Sequence, residues 1–94
     1  MALLSHEGIK EQLTQLDGWE LDDGKEIVKS FKFKDFVDSI AFVTRVAFLA
    51  EKANHHPDIS ISWNRVTLSL STHSEGGITE NDINLAEQIN GISS

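Results

Sequence analysis

The spacing of apolar residues changes period several times along this 94-residue chain. Ile9, Leu13 and Leu16 recur at helical intervals behind Ser5, a residue able to cap a helix, so a first helix is expected over residues 3–16 and Gly18 closes it. A short strand is expected over 19–21 and a longer one over 26–33. In the longer strand Ile27, Lys29, Phe31 and Phe33 alternate with Glu26, Val28, Ser30 and Lys32. Asp22-Asp23-Gly24-Lys25 between them has hairpin chemistry, since Gly accepts positive φ and Asp can bond its own backbone.

Residues 35–55 carry the strongest helical pattern. Phe36, Ile40, Val43, Ala47 and Ala50 form one stripe, broadened by Val37, Val46 and Leu49. Asp35 suits the N-cap, and Pro57 ends the segment by holding His56 in an extended conformation. Ile59, Ile61 and Trp63 then alternate with Ser60, Ser62 and Asn64, as expected of a half-buried strand. Val66, Leu68 and Leu70 repeat the pattern after a turn at Asn64-Arg65. Ser74-Glu75-Gly76-Gly77 reads as a loop. Thr79 and Asp82 have the spacing of a capping box ahead of a closing helix with Ile83, Ala86 and Ile89. The class is α+β: a four-stranded, mostly antiparallel sheet with three helices on its one apolar face, in the order α-β-β-α-β-β-α. Strand order across the sheet does not follow from the pattern.

Composition narrows the function classes. Hydrophobic residues make up 39% of the chain, enough for a core, and the length suits a single domain over residues 1–94. No apolar run approaches the roughly 20 residues of a membrane helix. Residues 1–11 lack the basic start and apolar stretch of a signal peptide. Cysteine is absent, which excludes disulfides and thiol nucleophiles and makes a cytoplasmic setting the simplest expectation. The net charge of -7 would repel a phosphate backbone or an anionic membrane, so neither nucleic acid nor membrane is expected as a partner. Lys25, Lys29, Lys32 and Lys34 read as the solvated face of a strand. So small a core, with no disulfide, favours association into a homo-oligomer.

The candidate chemistry lies in the histidines. His55 and His56 are adjacent at the end of the long helix, beside the chain's one proline, and His73 ends the fourth strand, in phase with Thr67, Ser69 and Ser71. Imidazole exchanges protons near neutral pH. Each residue also has a plainer reading. Glu51 and His55, four apart, read as a surface acid–imidazole pair near a helix C-terminus. His56 reads as a solvated turn residue, His73 as an exposed residue on the open face of the sheet, and Asp82 as a helix N-terminal acid. Trp63 reads as a core or dimer-interface aromatic. Strict alternation points His73 away from the helical layer, so its meeting with His55 requires the sheet's end, or a bulge near Thr72. Glu51, His55 and His73, with His56 or Asp58, are chemically suitable metal ligands, yet no His-x-x-x-His or His-x-His pair is present. No nucleophile elbow and no Gly-rich phosphate loop occur.

The whole set is more specific than its members. Glu51, three residues, His55-His56-Pro57, five residues, Trp63, nine residues, His73, eight residues, Asp82 resembles the signature of the pterin-4a-carbinolamine dehydratase family. Thr44-Arg45-Val46-Ala47, Leu70-Ser71-Thr72-His73 and Asp82-Ile83-Asn84-Leu85-Ala86 are similar to that family's central helix, last strand and last helix. The resemblance implies dehydration of a 4a-hydroxytetrahydropterin to the quinonoid dihydropterin, in support of an aromatic amino acid hydroxylase, with no metal and no organic cofactor. It implies catalytic roles for His55, His56 and His73. His55 and His73 would flank the carbinolamine as acid and base, and His56 would hold substrate or assist. Asn54, Ser71, Thr72 and Ser74 would contact the pterin. Glu51 would orient His55, with Trp63 and Asp82 in support. A homodimer or homotetramer is implied. The alternative is a non-catalytic interaction role, as a dimerisation cofactor of a transcription factor or an assembly factor.

Overall fold

The computed structural model describes residues 2–93. The elements are α1 (His6–Leu13), β1 (Glu20–Asp22), β2 (Glu26–Lys32), α2 (Phe36–Ala53), β3 (Asp58–Ser62), β4 (Arg65–Leu70) and α3 (Glu80–Ile92), with a short 3-10 turn at His73–Glu75. The four strands form one sheet in the order β1-β2-β4-β3, and every neighbouring pair is antiparallel. The α+β class and the α-β-β-α-β-β-α order expected from the periodicity are those of the structure.

The sheet presents Ile27 and Phe31 of β2 and Val66, Leu68 and Leu70 of β4 to one core. Ile9 of α1, Phe42 and Val46 of α2, and Ile83, Leu85, Ala86 and Ile89 of α3 complete it. Phe42 is the hub, its ring centroid 4.8 Å from that of Phe31 and 4.9 Å from that of Phe33. The capping expectations hold. The Ser5 hydroxyl accepts from the Gly8 N–H at 3.0 Å and the Asp35 carboxylate from the Asp38 N–H at 2.8 Å, each satisfying a first-turn donor with no partner in its own helix.

Other expectations need correction. α1 is shorter than its apolar pattern, although Leu16 beyond it is still buried. α2 turns Ser39, Phe42, Val46 and Ala50 inward. Phe36, Ile40 and Ala47 of the expected stripe are exposed, as are Val37 and Phe48. α2 is apolar around most of its girth, so periodicity alone could not choose the face. β3 is not half-buried: as an edge strand it is exposed at all five positions. The turn between β3 and β4 is Trp63-Asn64, one residue earlier than expected, and Trp63 takes φ 50°. Trp63 is therefore exposed and contributes nothing to the core. Lys29 also departs from the solvated lysine face. It points inward, and its ammonium donates to the Asp17 carbonyl at 2.7 Å and to Asn90 Oδ1 at 2.9 Å.

Candidate active site

The site grows from two helix ends. At the C-terminus of α2, Asn54 adopts the left-handed conformation, φ 50° and ψ 43°. Its N–H bonds the Glu51 carbonyl at 3.2 Å, and the His55 N–H bonds the Ala50 carbonyl at 3.1 Å. This pair of bonds is the Schellman closure, with Asn in the place Gly more often takes. The chain therefore reverses between Ala53 and His55, and Pro57 prevents the helix from resuming. The two adjacent imidazoles part company here.

His55 turns toward the N-terminus of α3. Its Nε2 lies 2.5 Å from Asp82 Oδ1, and the side chains are 12% and 0% exposed. His56 turns the other way. Its Nε2 lies 2.5 Å from Glu51 Oε2, with the side chains 57% and 76% exposed. Glu51 therefore serves His56, not His55. The expected i,i+4 pairing fails because it assumes an unbroken helix, whereas His55 lies beyond the left-handed cap.

Asp82 does two jobs with two oxygens. Thr79 and Asp82 form the expected capping box of α3. Asp82 Oδ2 accepts from the Thr79 N–H at 2.9 Å and from the Thr72 hydroxyl at 2.8 Å, which leaves Oδ1 for His55. The carboxylate can only accept, so hydrogen-bond chemistry assigns Nε2–H to His55 and leaves Nδ1 as its free ring nitrogen.

The other expected residues lie around this pair. β4 stops at Leu70, and beyond it Ser71 donates its hydroxyl to the Lys25 carbonyl at 2.9 Å. Thr72 points inward and forms an isolated bridge with Gly77. His73 then opens the 3-10 turn, where the region between Ser74 and Gly77 had been expected to be simple loop. His73 and Ser74 are exposed, and neither side chain has a hydrogen-bond partner among the described residues. Thr72 ties the His73 segment to the carboxylate that holds His55. Trp63 is not gathered in, since the length of β3 separates it from the histidines. Thr79 was legible as a helix cap but not as part of a histidine site. Its threonine–aspartate spacing was the available signal. Among the described residues no group of three or more His, Asp or Glu is placed to hold a metal ion. Two surface hollows of about 390 and 590 Å³ lie elsewhere, and neither is lined by a histidine.

A buried carboxylate clamps one imidazole, with two further histidines at the adjoining chain turns, and imidazoles so placed are chemically able to exchange protons near neutral pH. Sequence comparison gives the class a name. The family profile of pterin 4 alpha carbinolamine dehydratase matches residues 2–92, and the chain belongs to that family. It is 54% identical over 92 residues to a "Putative pterin-4-alpha-carbinolamine dehydratase" of Mycobacterium avium (strain 104), covering 98% of this chain and 97% of that one. A protein of the same name from Sulfolobus acidocaldarius is 46% identical over 89 residues, covering 95% of this chain and 97% of that one. The crystal structure of a transcriptional coactivator/pterin dehydratase from Brucella melitensis superposes with a TM-score of 0.92 at 44% identity, covering 97% of this chain and 98% of that one. A pterin dehydratase-like protein described as a RuBisCO assembly factor of the alpha-carboxysome shares the fold, with a TM-score of 0.70 at 20% identity, over 82% of this chain and 90% of that one.

Proposed function

We propose that this chain is a single-domain cytoplasmic hydro-lyase that converts a 4a-hydroxytetrahydropterin to the quinonoid dihydropterin and water. It would thereby return tetrahydrobiopterin-type cofactor spent by an aromatic amino acid hydroxylase. The observation that carries the reading is the His55–Asp82 pair: an imidazole fixed through Nε2 by a fully buried carboxylate, with Nδ1 left for substrate. In the reaction the C4a–O bond breaks as an acid protonates the departing hydroxyl. A base takes the N5 proton, and the N5 electron pair closes the C4a=N5 double bond. His55 and His73 act as this acid–base pair, and His56 holds the substrate. Asp82 keeps the His55 ring in place and compensates the charge the ring gains when it takes a proton. The Asn54, Ser71 and Ser74 segments border the pterin.

Freshly generated carbinolamine provides the test, with spontaneous dehydration subtracted. His55→Ala and His73→Ala should each lower the catalysed rate by about a hundredfold, the range of a lost general acid or base. Full rate in both variants would overturn the assignment.

The active form is a homodimer or homotetramer. Phe36, Val37, Ile40 and Phe48 on α2 and Ile59 and Ile61 on β3 support this, because so many large apolar side chains are bare in one chain. The same bare surface favours a second reading, in which the chain also serves as an interaction partner. A coactivator and an assembly factor among structures of this fold point the same way. Dehydratase-dead His55→Ala that still captured a partner from lysate would separate the two roles.

A further inference from the structure

Thr72 and Thr79 lie between the two halves of the site, and neither hydroxyl faces solvent. Thr72 is 8% exposed, and Thr79 and Asp82 are 0% exposed. Their oxygens form a chain. Thr79 Oγ1 is 2.8 Å from Thr72 Oγ1, which is 2.8 Å from Asp82 Oδ2. The Asn81 N–H donates to Thr79 Oγ1 at 3.2 Å.

With Asp82 ionised, only one arrangement of protons satisfies these contacts. Ionised Asp82 has no proton to give, so Thr72 must donate to it. A hydroxyl has one proton, so Thr72 has none left for Thr79, and Thr79 must donate to Thr72. The Thr79 oxygen then accepts from the Asn81 N–H. The chain is polarised in one direction, from the first turn of α3 to Oδ2 of Asp82. The Thr79 N–H donates to the same oxygen at 2.9 Å. With Oδ2 saturated by two donors, the carboxylate cannot turn, and Oδ1 stays on His55.

Thr72 is also committed through its backbone. Its N–H donates to the Gly77 carbonyl at 2.8 Å, and its own carbonyl accepts from Glu75 at 3.0 Å and Gly76 at 2.9 Å. These bonds fold the 3-10 turn that begins with His73. One residue thus orders both the carboxylate behind His55 and the segment carrying His73.

We infer that Thr72 and Thr79 are positioning residues for catalysis: their one-way hydroxyl relay locks Asp82 as an acceptor and so locks neutral His55 in the Nε2–H tautomer, with Nδ1 presented to the substrate. Thr72 accordingly contributes no hydroxyl to a ligand. The kinetic consequences rest on the dehydratase reading, but the ring chemistry does not.

Nitrogen NMR of histidine-labelled full-length protein reads the tautomer directly, and the same preparations supply kcat and KM. Wild-type His55 should show Nε2–H with Nδ1 unprotonated in its neutral form, and the Thr72 hydroxyl proton should exchange slowly. Thr72→Val keeps the side-chain shape and removes the relay. It should bring the Nδ1–H tautomer into the His55 spectrum and lower kcat by about tenfold to a hundredfold, with KM little changed. Thr72→Ser should restore both. A folded Thr72→Val with an unchanged His55 spectrum would overturn the proposal, as would a Thr72→Ser that restores neither property. Should Thr72→Val fail to fold, the wild-type spectrum decides: an Nδ1–H His55, or a Thr72 hydroxyl exchanging as fast as that of an exposed serine, would overturn it. The expected spectrum in a protein without dehydratase activity would retain the relay and remove the functional reading.

Discussion

Two histidine–carboxylate pairs sit side by side in this chain and measure the same. His55 to Asp82 and His56 to Glu51 are both 2.5 Å. Their surroundings are opposite. The first pair is almost enclosed, its acid fully buried and held by the Thr79 backbone and the Thr72 hydroxyl. The second is open to water on both partners, and the Glu51 carboxylate accepts no other side-chain or capping hydrogen bond among the described residues. Distance alone therefore says little about what a pair contributes. An exposed pair is screened and must order two mobile side chains, whereas a buried acid is surrounded by donors that have no other acceptor. The difference separates a built site from a surface contact, and substitution of each acid tests it.

The largest effect is expected at Asp82. Asp82→Ala leaves the Thr79 N–H, the Thr72 hydroxyl and the His55 ring without their acceptor in the protein interior. A loss of about 3–5 kcal/mol is expected, read as a lower midpoint in a denaturant melt. Asp82→Asn is the sharper probe. Its single amide oxygen satisfies the Thr79 N–H and the Thr72 hydroxyl only by turning its NH2 group onto His55, which demands the other tautomer. Dehydration should slow by about a hundredfold or more while the fold persists. A fully active Asp82→Asn would erase the distinction between the pairs.

A smaller effect is expected at the residue that sends the two rings apart. Asn54 sits at φ 50°. Asn54→Gly fits this conformation and should leave stability within about 0.5 kcal/mol and His55 in place. Asn54→Val places a β-branched side chain where it is strained, at about 1–2 kcal/mol. If the chain relieves that strain by extending α2, His55 moves toward the Glu51 face. Thermal melts of the two variants, with the dehydration rate beside them, check this. Equal behaviour of Gly and Val would mean that the left-handed turn does not set the geometry of His55.

Much of this was legible in the sequence, because local rules govern it. Alternation placed the strands, Ser5, Asp35 and Thr79 announced helix starts, and the spacing from Glu51 to Asp82 carried the family resemblance. The departures share a different cause. Which side of α2 is buried depends on what packs there, and an apolar girth gives no preference. β3 alternates like a covered strand, but alternation records an apolar face and not the presence of a cover. Trp63 continued that alternation and so was read into the strand, although it forms the turn. The pairing of Glu51 with His55 fails because one left-handed residue between Ala53 and His55 reverses the chain. Asp82, 27 residues from His55 in sequence, is brought close only by the packing of α2 on α3.

The smallest effect is expected at Glu51, and it bears most directly on the comparison. Glu51→Gln removes the charge but keeps an oxygen able to accept from His56 Nε2–H. Both groups of this pair are well hydrated, and the glutamine is as readily solvated as the acid. Stability should shift by no more than about 0.5 kcal/mol. That difference should shrink further at 1 M salt, where the Debye length is only about 3 Å. The His55 ring is held by Asp82 and makes no hydrogen bond to Glu51, so that ring and the acid–base step should be unaffected, and any loss should appear in KM through His56. Melts at low and high salt with a kcat and KM pair suffice to measure this. A kcat loss matching that of Asp82→Asn would place the open pair in the chemistry and make burial the wrong criterion for telling the two apart.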